Sequence, residues 1–142
     1  MKTNILSNAR LYILERKQAG EVFISSDAVK EWTVKMCDVE ESDRNYFFDY
    51  YVNSMVTIAL NMNNCYSKER GEGVFVNVDA CRDRAVLEQL LGYADKDIES
   101  DSSRYAVIKR RLRQLDFEQM FIDLDNPSAS IQTVGDVIAA AM

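Results

Sequence analysis

The sequence predicts a mostly helical α+β fold in which a small β-hairpin sits among amphipathic helices and a helical extension follows. Three observations carry this reading. Apolar residues recur at steps of three and four through most of the chain; short β-branched and aromatic runs near glycine interrupt that pattern at EVFIS and again across 65–78; and only one proline breaks the 142 residues. A chain of this length can bury roughly two thirds of its unfolded surface. With 47% apolar and 28% charged residues it has globular composition.

Residues 8–19, NARLYILERKQA, set Leu11, Ile13 and Leu14 against Arg10, Arg16 and Lys17, which predicts an amphipathic helix stopped by Gly20. EVFIS is too short for a helix and rich in strand formers, so it reads as one strand. Ser25, Ser26 and Asp27 then offer capping side chains ahead of a second helix, with Val29, Trp32 beside Thr33, and Met36 on its apolar side. A third, long helix follows Glu40-Glu41-Ser42-Asp43. Its predicted buried stripe runs through Tyr46 or Phe47, Tyr50 or Tyr51, Met55, Ile58 and Met62. The five aromatics of residues 46–51 wrap more than one face, so some point away from the stripe, either to pack against the hairpin or the C-terminal helix, which is the expected fate, or to stack on bases or fill a partner's groove. After Asn63-Asn64, the segment CYSKERGEGVFVNV predicts two strands around a charged tip from Lys68 to Gly73.

Ala80 to Leu91 predicts a fourth helix with Val86, Leu87, Leu90 and Leu91 as its apolar positions and Gly92 as its end. The polar stretch DKDIESDSS separates it from a fifth, Arg104 to about Leu124. There Tyr105, Ile108, Leu112 and Leu115 form a heptad-like seam, suited either to packing within the chain or to a homodimer of long helices. Residues 126–142 form a tail or a short apolar helix.

Helix, strand, helix, helix and hairpin in this order resemble the winged helix-turn-helix fold across residues 8–80. The resemblance divides the chain into a winged-helix-like domain at 1–82, a helical extension at 83–125 and the C-terminal segment 126–142. It implies a DNA-binding transcriptional regulator of bacterial or phage style, acting on double-stranded DNA as a dimer without cofactor. In that fold the third helix reads the major groove and the hairpin tip touches phosphate. The residues so nominated are Arg44, Asn45 and Asn53 on the helix, with Lys68 and Arg70 on the tip.

Charge points elsewhere. The chain carries a net charge of −6; residues 1–82 hold 10 basic and 12 acidic side chains, and the remainder 7 and 11. Asp43, Asp49, Glu69 and Glu72 sit among the nominated residues, where they repel phosphate. The most basic window is instead Lys109, Arg110, Arg111 and Arg113, which serves as an alternative nucleic-acid patch or as a solvated face paired with Glu99, Asp101 and Asp116. The balance of charge favours a second function: an acidic protein-binding module, of phage or host-interaction type, on the same scaffold.

Catalysis is not expected. The sequence has no histidine, which removes the commonest general base and the commonest zinc ligand. Gly71-Glu72-Gly73 lacks the spacing and the lysine of a phosphate loop. Asp123 and Asp125 read as a helix end rather than a magnesium site, and no metal is expected. Cys37, Cys65 and Cys81 are widely spaced and odd in number, which predicts reduced, buried thiols; only Cys81, beside Arg82, has a neighbouring cation to activate it. The opening residues, MKTNILSNARLYILERK, show no apolar export signal, and with the thiols they predict a cytoplasmic protein.

Overall fold

The computed structural model describes residues 4–37, 40–67, 73–94 and 103–125. Within them lie five α-helices and three strands in the order α1 (Ile5–Gln18), β1 (Phe23–Ser25), α2 (Ser26–Cys37), α3 (Tyr46–Met62), β2 (Cys65–Tyr66), β3 (Val74–Asn77), α4 (Arg84–Gly92) and α5 (Arg104–Asp125). The fold is α+β and mostly helical, as the sequence predicts. Among the described residues no helix is long and apolar enough to cross a membrane.

Helix ends follow local chemistry. α1 closes where Gly20 takes φ +77°; the Gly20 and Glu21 amides donate back to the Lys17 and Arg16 carbonyls, satisfying the last turn. Ser25 caps α2 by accepting from the Ala28 amide. Asp83 caps α4 by accepting from the Ala85 and Val86 amides, and Ser103 does the same for the Ala106 amide at the start of α5. The third helix spans Tyr46–Met62, the run read from the sequence; the acids expected to cap it form instead a separate 3-10 turn, Glu41–Asp43, and the cap is Asn45.

The three strands form one antiparallel sheet in the order β1-β3-β2, with Ile24 opposite Phe75 and Tyr66 opposite Val76. The sequence-predicted pairing of the strands flanking the Lys68 to Gly73 tip is therefore present. Successive side chains of a strand point to opposite faces, and here both faces are covered. Ile24, Cys65 and Phe75 join Ile5, Ala9, Ile13, Val29, Val52, Val56, Ala59 and Leu60 in a core formed with α1, α2 and α3. On the other face Tyr66, Val76 and Val78 meet Cys81, Leu87, Leu90, Val107 and Ile108 in a second core supplied by α4 and α5. The sheet is a shared wall between two helical layers.

Polar ties reinforce that wall. Buried Asn77 donates its side-chain amide to the Glu21 carbonyl at 3.0 Å and its backbone amide to Val22 at 2.7 Å. Lys17, near the end of α1, reaches Asp79 at 2.7 Å and donates to the Asn63 carbonyl, joining α1 to the turns after α3 and β3. Asn64, at φ +61°, donates to the same Asp79 carboxylate at 3.3 Å. Asparagine tolerates this left-handed backbone better than most residues do.

Candidate interaction site

The inward side of α3 differs from the stripe read in the sequence. Val52, Val56, Ala59 and Leu60 are buried, at spacings of four, three and one, which is the amphipathic helix pattern. The residues expected to form the stripe are largely outside: Tyr46 is 76% exposed, Phe47 79%, Tyr50 66%, Tyr51 52%, Ile58 42% and Met62 54%, while Met55 alone is half-buried against the core. The physical reason is that both sides of this helix are apolar, so periodicity could not choose between them, and packing did. Fully buried Ala9 and Ala59 keep the core between α1 and α3 narrow, and β-branched valines fill it where tyrosines would not fit. The same correction applies to Met36, which is exposed, and to Trp32, which is half-buried and lies 5.4 Å from the Tyr12 ring.

The result is an exposed aromatic face. At about 100° per residue, Tyr46, Phe47, Tyr50, Tyr51, Ile58 and Met62 fall within an arc of about 160° on α3. Tyr46 and Phe47 pack edge to face at 5.9 Å. Glu40, Glu41 and Asp43, all exposed, lie on the turn that leads into this face. Asp49 is clipped by Lys30 of α2 at 2.5 Å.

The residues nominated for DNA contact are placed differently from one another. Asn45 is the N-terminal cap of α3: its side chain accepts from the Phe48 amide at 3.0 Å, which commits it to the start of the helix. Asn53 is exposed and donates to Asp49 at 3.4 Å. Arg44 is exposed at the end of the 3-10 turn, its amide donating to Glu41. Lys68 and Arg70 lie outside the described residues, as do Glu69, Gly71 and Glu72.

The basic window on α5 is only partly a surface. Arg110 and Arg113 are exposed, but Lys109 and Arg111 are half-buried. Arg111 donates to the Cys81 carbonyl at 2.9 Å, and Lys109 lies 5.9 Å from the centre of the Tyr105 ring. The expected pairing of this window with Asp116 is corrected, because Asp116 pairs with Arg84 and the next acid, Glu118, with Arg82. Glu99 and Asp101 lie outside the described residues. The seam residues Ile108, Leu112 and Leu115 pack within the chain against the second core, and Tyr105 is half-buried.

Cys37, Cys65 and Cys81 are free and buried. Burial pushes the Cys65 thiol up to about 11, with Lys17 opposing the shift. Arg82, the cation beside Cys81 in the sequence, turns its guanidinium to Glu118 at 2.6 Å, while the Cys81 thiol donates to the Asp83 carbonyl at 3.7 Å. Asp123 accepts from Gln119 at 3.2 Å. Among the described residues no group of three or more cysteines and carboxylates could hold a metal ion. No protein-family model, no curated protein and no solved structure matches the chain.

Proposed function

We propose that this chain is a winged-helix domain that binds another protein through the outward face of α3 and catalyses no reaction. The exposure of Tyr46, Phe47, Tyr50 and Tyr51 together carries the proposal. Contiguous exposed apolar groups with a polar rim are characteristic of interaction surfaces, and aromatic side chains supply much of the energy at such sites. The strand order β1-β3-β2, with three helices on one face, supports the winged-helix assignment. In that fold the third helix is the element presented to a ligand. The three acids at its start favour a protein over a polyanion. Buried thiols and the lack of histidine support a binding role, and the free thiols support a cytoplasmic setting.

Photocrosslinking tests this reading. With a benzophenone amino acid at position 47 or 50, protein adducts are expected in native cells, and none from the same group at exposed Glu88 on α4. Adducts to nucleic acid, or no adducts at 47 and 50, would falsify it.

Regulation through duplex DNA is the second reading, favoured by the strand order and by exposed Arg110 and Arg113. It requires low-salt binding to mixed duplex that weakens when Arg44, Lys68 and Arg70 are changed to Ala, or when Arg110 and Arg113 are. Duplex binding insensitive to all five substitutions excludes it.

A further inference from the structure

Resting on α3 as a protein-docking face, we infer that the segment of the partner it takes is arginine-rich. Two chemistries meet at the start of α3. Four aromatic rings, from Tyr46, Phe47, Tyr50 and Tyr51, are turned outward, and the exposed carboxylates of Glu40, Glu41 and Asp43 stand within six residues of the first of them. Ring faces attract cations through their quadrupole, most often the flat guanidinium of arginine, and a carboxylate accepts two parallel hydrogen bonds from the same group.

This chain uses the same pairing inside its own fold. Arg16 lies 5.2 Å from the centre of the Tyr12 ring, Arg104 5.3 Å from Tyr66 and Lys109 5.9 Å from Tyr105. Lys30, the cation that reaches α3 from α2, is spent on Asp49. The turn at the start of α3 sets the exposed carboxylates of Glu40, Glu41 and Asp43 against the single guanidinium of Arg44, so the charge beside the rings is negative in balance.

The alternatives leave part of the surface unsatisfied. A neutral apolar helix would cover the rings but strip water from three carboxylates without replacing it. A lysine-rich segment would neutralise the acids but lacks the planar group that stacks on a ring and forks to a carboxylate. Nucleic acid would bring phosphate against Glu40, Glu41 and Asp43.

The test is fluorescence anisotropy of the full chain with three labelled 12-residue peptides: alternating Arg and Ser, the same peptide with Lys for Arg, and a neutral Leu and Gln amphipathic helix. The arginine peptide is expected to bind at least threefold tighter than the lysine peptide. Its affinity should drop about three- to tenfold with Tyr50→Ala or Tyr51→Ala, and again with Glu41→Gln and Asp43→Asn combined. These positions are exposed, and circular dichroism checks that each variant folds. Equal or tighter binding of the lysine peptide, or arginine binding that the α3 variants leave unchanged, overturns the inference. If the neutral peptide alone binds and Tyr50→Ala abolishes it, the arginine preference fails and the docking face stands. No binding by any peptide overturns the preference, and if crosslinks at 47 and 50 are also missing, the docking face falls with it.

Discussion

Arg104, the first residue of α5, lies over the ring of Tyr66 in β2, with its guanidinium carbon 5.3 Å from the ring centre. The same side chain donates to the Ser67 carbonyl at 2.8 Å and to the Leu90 carbonyl at 3.3 Å. One residue thus fastens α5 to the sheet and to α4. Arg104→Met keeps most of the apolar stem and removes both charge-assisted hydrogen bonds, so it should lower stability by about 2–3 kcal/mol. Arg104→Lys should recover only part of that loss, because an ammonium can donate to a carbonyl but lacks the flat guanidinium that stacks over the Tyr66 ring. Urea denaturation of the three proteins measures both effects.

Alkaline pH should unfold the protein earlier than surface charge alone predicts. Burial raises the Cys65 thiol from 9.0 to about 11 and raises Tyr66 above 10.0, with Arg104 opposing the second shift. Both groups are neutral in the fold at pH values where the unfolded chain has begun to ionise. The stability they hold is therefore complete below pH 9 and is lost as pH rises through 9 to 11 for Cys65 and above 10 for Tyr66. Melting temperature should be flat from pH 7 to about 8.5 and then fall, with a shallower fall from pH 9 to 11 in Cys65→Ala. An unchanged slope in that variant would show that the thiol does not carry the effect. All three thiols are buried, so they should be out of reach of a thiol reagent in the native protein and react together on unfolding.

The seam on α5 separates a structural from an oligomeric role. Ile108 is completely buried, and Leu112 and Leu115 pack beside it on the core made by the sheet and α4. Ile108→Ala should cost about 2–5 kcal/mol in stability, the range for deleting a buried aliphatic side chain. It should leave the mass measured by light scattering unchanged. A variant that stays as stable as the parent but halves in mass would assign the seam to a dimer instead.

Element order was legible in the sequence because it rests on local signals. Gly20 ends α1, Ser25 caps α2, and the β-branched VFV of residues 74–76 marks the central strand of the sheet. What could not be read are relations between distant residues. Lys17 and Asp79 are 62 positions apart, and Asn77 meets Glu21 across 56. No short window contains either pair. The second sheet face was missed for a related reason: alternation along VFVNV shows that the strand has two apolar sides, but only tertiary structure shows that α4 and α5 cover the side of Val76 and Val78. On α3 the difficulty was the opposite one, an excess of signal. Two faces of this helix carry large apolar residues, so spacing alone does not pick Val52 and Val56 over Tyr50 and Tyr51; packing against α1, α2 and the sheet does.

The cap at the start of α3 offers a direct contrast with the face beside it. Asn45→Ala removes the acceptor for the Phe48 amide and should cost about 1 kcal/mol. Tyr50→Ala, two positions beyond Phe48 on a side chain that is 66% exposed, should change stability by no more than about 0.5 kcal/mol. Phe47→Ser should behave like Tyr50→Ala while making the protein less prone to associate at high concentration, because it removes exposed apolar area. Guanidine titrations of the three variants decide the matter. If Tyr50→Ala and Phe47→Ser each cost 2 kcal/mol or more, the aromatic rings hold the fold together, and the face has no energy to spare for a partner.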